Sequence, residues 1–503
     1  MNANLFALLA DSIQAPDATA IETPSGERIS YAALVARTGR MANALAGLGV
    51  KPGDRVAAQV EKSVEAIVLY LGIVRAGAVF LPLNTGYTPA EIDYFVGDAT
   101  PAVFVCDPAK AEALRPVADR AGARLVTLDA SGRGTLADAA DTAPEAFATV
   151  ERDPDDLAAL LYTSGTTGRS KGAMLTHGNL VSNTRALIDT WRFTSADVLI
   201  HALPIFHTHG LFVATNVTLF SGAAMIFLPK YDAGRILALM PRATVLMGVP
   251  TFYVRLLEEP GMPAAAAGMR LFVSGSAPLL AETHREWQAK TGHAILERYG
   301  MTETNMNASN PYDGERIAGT VGLPLPGVEI VVTDPETGAA LAPGEIGMIE
   351  VRGPNVFKGY WQMPEKTAAE LRANGFFITG DLGKIDEKGY VHIVGRGKDL
   401  IITGGYNVYP KEIETELDAL PGVLESAVIG VPHRDFGEGV TAVIVPAGKA
   451  SLEEAAILEG LGDRLAKFKL PKRVVFVDEL PRNTMGKVQK NLLRERFAGL
   501  YHA

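Results

Sequence analysis

A rhythm constrains this chain more than any other feature. Over the first few hundred residues, short apolar runs alternate with longer stretches whose apolar residues recur at helical spacing. Ser30 can cap a helix beginning near Tyr31, and Leu34, Val35, Met41, Leu45 and Leu48 give that helix one apolar stripe. Gly49 and Pro52 stop it. Residues 55–60 read as a strand. Val64, Ile67, Val68, Leu71 and Val74 mark the next helix, and residues 80–83 the next strand. The rhythm returns at 224–228, 243–249 and 271–274. Strands separated by helices imply parallel sheets covered on both faces, so the fold class is α/β.

Beyond Pro326 the texture changes. Strand-like runs at 328–332, 347–351 and 390–394 are separated by turns such as Asp334-Pro335-Glu336-Thr337-Gly338. The expected organisation is a large N-terminal domain, 1–397, made of α/β subdomains with a β-rich subdomain at about 326–397. A small α+β C-terminal domain follows at 398–503. In it Pro410 opens a helix, residues 426–431 and 441–445 form strands, and a Ser-x-x-Glu box at Ser451 caps another helix. With 503 residues, such domains have ample chain for their own cores.

Residues 198–229 contain no Asp, Glu, Lys or Arg. His201, Pro204, His207, His209, Gly210, Asn216 and Gly222 interrupt them, so a buried α/β core fits better than a membrane span. The net charge of -10 argues against a general nucleic-acid binder, while leaving room for a local cationic pocket. Cys106 is the single cysteine, which excludes an intramolecular disulfide and a Cys-based zinc site and fits a reducing cytoplasm. It reads as a core residue. The first six residues show no secretory signal.

The strongest chemical signal is Tyr162-Thr163-Ser164-Gly165-Thr166-Thr167-Gly168-Arg169-Ser170-Lys171-Gly172, which follows an apolar run. Its glycines permit close backbone approach, its hydroxyls supply donors and Lys171 supplies charge, the ingredients of a phosphate cradle. Its glycine spacing is not that of a Walker A loop. By composition alone, a flexible surface loop fits as well.

The loop resembles the phosphate-binding signature of the adenylate-forming superfamily, which includes acyl-CoA synthetases, luciferases and peptide-synthetase adenylation domains. Further motifs follow in order: Tyr299-Gly300-Met301-Thr302-Glu303, Thr379-Gly380-Asp381, Gly395-Arg396-Gly397-Lys398-Asp399 and Pro481-Arg482-Asn483-Thr484-Met485-Gly486-Lys487. The resemblance runs over essentially the whole chain. It implies that a carboxylate is activated by ATP through an acyl-adenylate, with catalysis by positioning and electrostatics. It implies that Thr163, Ser164, Gly165, Thr166, Thr167 and Lys171 hold the β- and γ-phosphates. Glu303, with Thr163, would meet the Mg²⁺ that accompanies ATP. Thr302 would touch the α-phosphate beside Gly300 and Met301, Tyr299 would stack on adenine, and Ser274, Gly275, Ser276, Ala277 and Pro278 would line the nucleotide. Asp381 would accept from the ribose hydroxyls, aided by Arg396. Lys487 would bridge the carboxylate and the α-phosphate. Lys398 would be the hinge about which a mobile C-terminal lid turns. No tightly bound organic cofactor is implied.

The acid is suggested by Arg298. A guanidinium beside an acyl pocket suits a second carboxylate, by bidentate geometry; a structural salt bridge with Glu297 or Glu315 is the alternative. Residues 296–307, Phe206-His207-Thr208-His209-Gly210-Leu211 and Met247-Gly248-Val249-Pro250-Thr251-Phe252 resemble malonyl-CoA synthetases. The implied substrates are ATP, malonate (methylmalonate more weakly) and coenzyme A. Thr208 and Met306 would line a small acyl pocket, His207 would gate the path to the thiol, and His209 would help bind the distal carboxylate. Lys230 and Arg235 are other candidate cations. A metal site at His207-x-His209 lacks a third ligand. For coenzyme A, the resemblance points to Gly404, Gly405 and Tyr406. Arg434, Lys467, Lys469, Lys472 and Arg473 could meet its phosphates, or form a solvated basic face. Lys487 is the kind of lysine that a protein acetyltransferase silences and a deacetylase restores in related bacterial enzymes. Three rivals remain: a synthetase for another short-chain or aryl acid, an adenylation module loading a carrier protein, and a silent nucleotide-binding regulator. A chain ending near Leu500 without a carrier domain counts against the second, and the intact motif residues against the third. No nucleic acid or membrane partner is expected.

Overall fold

The computed structural model describes residues 2–163, 170–403, 406–448, 452–462, 464–483 and 486–501. The described residues form four sheets. The first runs Arg124–Thr127, Val103–Cys106, Arg55–Gln59, Val79–Pro82, Leu157–Thr163, Lys171–Thr176. Its neighbours are parallel except for the last pair, a hairpin. The second runs Leu323–Pro324, Asn305–Ser309, Leu296–Met301, Leu271–Ser274, Val245–Gly248, Val198–His201, Ala224–Phe227, Thr19–Glu22, Arg28–Ser30. It too is parallel at its centre and antiparallel at both edges. The sequence rhythm misses these edges for a simple reason. It registers strands separated by helices, whereas a short link can only return the chain antiparallel.

The helices follow their signals closely. Ser30 accepts from the Ala33 amide at the start of Tyr31–Gly47. Ser63 does the same for Ala66 at the start of Val64–Arg75, which lies almost wholly buried between layers. The charge-free stretch folds as strand, π-helix His209–Thr215, short helix Asn216–Phe220 and strand. Among the described residues no helix is long and apolar enough to cross a membrane. Cys106 ends a fully buried strand, and burial pushes its thiol up to about 11.

The third sheet is antiparallel: Glu329–Thr333, Gly347–Arg352, Phe377–Ile385, Val391–Arg396. Phe377–Ile385 is absent from the sequence reading because Gly380, at φ 73°, and Gly383 break its alternation. The fourth sheet belongs to the C-terminal portion: Tyr406–Val408, Ile401–Thr403, Gly437–Pro446 and Val423–His433, with Arg473–Phe476 beside Gly437–Pro446. Val428, Val440 and Ile444 face one core with Ile413 and Leu417 of helix Pro410–Asp418. Ala427, Ile429 and Val443 face the other, with Leu493 of helix Lys490–Phe497. The helix after residue 451 spans Glu454–Gly462, and its expected cap, Ser451, lies outside the described residues. The whole is a mixed α/β molecule with a large N-terminal and a small C-terminal domain.

The site follows from strand direction. Four parallel strands of the second sheet end on one edge at His201, Gly248, Ser274 and Met301. Such carboxyl edges are where open α/β sheets bind ligands.

Candidate active site

The hairpin register places Thr163 opposite Lys171. Ser164, Gly165, Thr166 and Thr167 lie outside the described residues. Lys171 Nζ is 3.1 Å from Tyr360 Oη and 3.4 Å from Glu370 Oε2, and lies 4.2 Å from the Tyr360 ring centre. Tyr360 Oη is also 3.0 Å from Glu303 Oε1 and 2.7 Å from Glu370 Oε2. One hydroxyl proton therefore serves two carboxylates, and the Lys171 ammonium offsets their charge. Burial pushes the Glu303 carboxyl up, against the Tyr360 hydrogen bond and Lys171. Among the described residues no group of three His, Cys, Asp or Glu side chains could hold a metal ion. The donors here are one buried carboxylate and the Thr163 hydroxyl, a set that needs ligands from elsewhere to complete a Mg²⁺ sphere.

Asp381 and Arg396 face each other across adjacent strands. Arg396 Nε lies 2.8 Å from Asp381 Oδ1, and the Tyr299 hydroxyl donates to Oδ2 at 2.5 Å. Arg396 also donates to the Thr379 carbonyl at 3.2 Å. Asp381 is thus held in one orientation while keeping spare lone pairs. Gly300, Met301 and Thr302 are half-buried beside it, as are Ser276 and Ala277, while Ser274 and Gly275 are buried and Pro278 is exposed. Ser276 has φ 71°, and its Oγ is 3.1 Å from His209 Nδ1.

Arg298 is the unusual group. It is 4% exposed, and its Nε and Nη2 have no partner among the described residues. Glu297 points elsewhere, 3.2 Å from His284 Nδ1, and Glu315 pairs with Lys388 at 3.5 Å. Neither salt bridge open to Arg298 on the sequence is made. Burial pushes the guanidinium down to about 9. Gly275 packs on it so closely that a Cβ there would lie 2.4 Å from Arg298 Cζ. Thr208 Oγ1, His209 Nε2 and Ser274 Oγ are likewise buried and unpartnered. Thr208, His209 and Met306 are buried beside them. Burial, then the charges of Arg298 and Lys487, push the half-buried His207 imidazole down to about 4. Arg235 is exposed and pairs with Asp232 at 3.8 Å. Lys230 sits exposed at the rim of a separate cleft of about 260 Å³.

Lys487 completes the cleft from the C-terminal domain. It is exposed, and its amide donates to Asn483 Oδ1 at 3.0 Å. Partial desolvation and then the Arg396 charge push its ammonium down to about 8. It is felt by His207 on one side and feels Asp381 on the other, so it lies between the acyl and nucleoside ends. Lys398 is exposed in the turn Gly397–Asp399, whose Asp399 pairs with Arg494. Gly404 and Gly405 lie outside the described residues. Tyr406 is exposed and stacks on Phe468 at 4.7 Å, and Arg434 is exposed. Lys469 and Arg473 pair with Glu412 and Glu454, and Lys472 covers the Phe436 ring.

Known proteins carry the same plan. The AMP-binding enzyme family matches residues 10–361, and the AMP-binding enzyme C-terminal domain matches residues 412–487. The chain belongs to the AMP-binding enzyme family. ATP-bound MatB from Rhodopseudomonas palustris superposes with TM-score 0.98 at 68% identity over 100% of both chains. The apo form of MatB, at the same identity and coverage, gives 0.88. This chain therefore superposes more closely on the ATP-bound form than on the apo form. A malonate–CoA ligase of Arabidopsis thaliana is 36% identical over 89% of this chain and 79% of its own. A feruloyl-CoA synthase of Amycolatopsis is 39% identical over 96% of both.

Family motifs did not lead to Tyr360 or Glu370. Tyr360 stands in Gly359-Tyr360-Trp361, an aromatic pair whose pattern alone does not distinguish it from core residues. Glu370 is spaced four residues from Lys366, and their contact at 2.6 Å reads as an ordinary surface pair.

Proposed function

We propose that the chain is a malonate–CoA ligase that works through malonyl-AMP, with methylmalonate as a weaker substrate. One observation carries this reading: a buried guanidinium with two donor atoms unpartnered and no carboxylate partner among the described residues. Buried charges are ordinarily paired, since an unpaired one is costly. An apolar or aryl acyl group would leave the cost in place, whereas a distal carboxylate offers two oxygens to two donors. That distinction matters because overall identity does not choose between the acids named for the relatives. Thr208 and His209 would add further polar atoms to the same pocket, and Met306 would limit its depth.

With the distal carboxylate on Arg298, the proximal one lies toward the nucleotide. Its oxygen attacks the α-phosphorus and the bond to the β-phosphate oxygen breaks, releasing pyrophosphate. Charge grows on the phosphates, and Lys171, Lys487 and Thr302 are placed to offset it. Mg²⁺ would arrive with ATP, most of its ligands being phosphate oxygens and water, with Glu303 and Thr163 as the protein's share. Asp381, fixed by Arg396 and Tyr299, would hold the ribose. In the second half-reaction the CoA thiol loses its proton, sulfur attacks the acyl carbon and the bond to AMP breaks. His207, neutral at physiological pH, would guard that approach without adding charge. We assign the domain boundary to residues 397/398, with Lys398 as the hinge between the two half-reactions and Tyr406 and Arg434 as CoA contacts. Lys487, exposed and with a lowered pKa, also suits reversible acetylation, and the reducing setting allowed by buried Cys106 suits the cytoplasm.

The test is pyrophosphate release with malonate, methylmalonate, acetate, benzoate and ferulate, followed by thioester formation on adding CoA. Malonate is expected to give the highest kcat/KM. A higher value for any monocarboxylate would overturn the assignment.

A further inference from the structure

Lys62 and His201 belong to no motif used above. Lys62 follows strand Arg55–Gln59 of the first sheet, and His201 ends strand Val198–His201 of the second. Lys62 Nζ is 3.0 Å from His201 Nδ1, 2.8 Å from the His201 carbonyl and 4.4 Å from the Phe227 ring centre. Its partners are an imidazole, a carbonyl and an aromatic face, not a carboxylate. On the other side of the imidazole, Nε2 is 2.9 Å from the Gly210 carbonyl and 3.1 Å from Thr215 Oγ1. A carbonyl can only accept, so Nε2 carries the proton and Nδ1 is left to accept from Lys62. Burial, then the Lys62 charge, keep this imidazole well below its ordinary value and neutral.

The end of this chain of bonds is the wall of the acyl pocket. Thr215 Oγ1 also donates to the Gly210 carbonyl, at 2.9 Å, so one carbonyl takes two side-chain donors. Gly210 is the second residue of the π-helix His209–Thr215, a form that is rare and tends to mark functional sites. Gly210 is jammed under the preceding loop, where a Cβ would lie 2.0 Å from the Pro204 carbonyl oxygen. The two residues before it are Thr208 and His209, each with a buried unpartnered atom, and the Arg298 charge acts on His209. His209 then touches Ser276, the neighbour of the Gly275 that packs on Arg298.

The geometry points to Lys62 and His201 as positioning residues: a strut, ordered by one imidazole tautomer, that fixes the π-helix so that Thr208 and His209 complete the carboxylate pocket around Arg298. The inference rests on the dicarboxylate reading of that pocket, and it sets the strut's role as acid selectivity rather than ATP binding.

Lys62→Met keeps a side chain of similar length beside Phe227 and removes the ammonium that lies over its ring, and Lys62→Arg restores a charged donor. In the pyrophosphate-release assay, Lys62→Met is expected to raise the malonate KM about tenfold or more and to lower the malonate-to-acetate ratio of kcat/KM by a similar factor. The ATP KM is expected to stay within about twofold, with most of the loss recovered in Lys62→Arg. A merely structural role would lower all of these together. Unchanged malonate KM, a parallel rise in ATP KM, or equal loss for malonate and acetate overturns the proposal. Should Lys62→Met not fold, His201→Asn, which cuts the link to Gly210, is held to the same outcomes. If the wild-type chain prefers another acid, the substrate assignment fails separately, and the strut is judged by the same ratio measured with that acid against acetate.

Discussion

Arg298→Met separates the two consequences of an unpaired buried cation. Lowering a guanidinium from its ordinary value to about 9 corresponds to on the order of 5 kcal/mol of desolvation, at about 1.4 kcal/mol per tenfold. For a base with a lowered folded pKa the penalty is complete below about 9 and fades as pH rises toward the unfolded value. At neutral pH Arg298 therefore opposes folding in full. A methionine of similar reach removes the charge, loses some packing against Gly275, and is expected to leave the melting temperature unchanged or raised. Malonate binding moves the other way. A distal carboxylate buried without its partner costs about 3–5 kcal/mol, which lowers kcat/KM for malonate by about 10²–10⁴. Pyrophosphate release at varied malonate and fixed saturating ATP measures the loss, and thermal melting without ligands measures the stability. A loss below about tenfold, or an equal rise in the ATP requirement, refutes the anchor role. A clear fall in melting temperature refutes the claim that the guanidinium is held at a cost.

Other perturbations probe neighbouring parts. Gly275→Ala is expected to push the guanidinium aside without removing its charge, since the new Cβ would meet Arg298 Cζ at 2.4 Å; malonate kcat/KM should fall at least about tenfold with normal nucleotide binding by titration calorimetry. Lys487→Ala should lose adenylation while still converting supplied malonyl-AMP to thioester, and near-normal pyrophosphate release would refute its role. With its ammonium lowered to about 8, wild-type adenylation kcat/KM should fall as pH rises through that value, and Lys487→Arg should remove that limb of the profile. Tyr360→Phe should raise the ATP KM about 10–150-fold, since hydrogen bonds to charged groups are each worth about 1.5–3 kcal/mol, with the malonate KM unchanged. Lys398→Pro should slow single-turnover thioester formation more than adenylation, and equal slowing would count against the hinge.

The fold was legible wherever the chain obeys one local rule for long enough. Helices Tyr31–Gly47 and Val64–Arg75 announce themselves by a serine cap and an apolar stripe. Strand Phe377–Ile385 does not, because its glycines carry the Thr379-Gly380-Asp381 turn of chain that presents Asp381 to the cleft. The π-helix His209–Thr215 was invisible for a related reason: its apolar residues read as core at any helical period, and what distinguishes it is a tertiary clamp on Gly210. Within the site, Lys171, Glu303, Asp381 and Lys487 could be assigned roles because short motifs surround them. Tyr360, Glu370 and Lys62 could not, since each acts through a partner far away in sequence. Arg298 was half legible. Its residue type suggested an anion, but only three dimensions show that Glu297 turns to His284 and leaves the guanidinium free.

The cations of the cleft are held in three different states, and the differences match what each would meet. Lys171 is already shared between the Tyr360 hydroxyl and the Glu370 carboxylate, so incoming phosphates would have to displace one anionic partner and binding would be tempered. Arg298 is buried with no anionic partner among the described residues, so on the proposed reading a carboxylate would relieve a cost incurred on folding and uncharged acyl groups would be disfavoured. Lys487 is exposed, with its ammonium lowered only to about 8, as would suit the proposed role of a group brought by the C-terminal domain for one half-reaction. A chain of net charge -10 would need such local arrangements to collect the three anionic substrates proposed for it, because its overall field opposes all of them. The ordering yields a salt signature. Raising ionic strength should weaken ATP affinity more than malonate affinity, because the buried Arg298 pair is less screened than the partly solvated phosphate contacts. A malonate KM that rises with salt as steeply as the ATP KM would show that Arg298 meets its ligand in water rather than in a closed pocket.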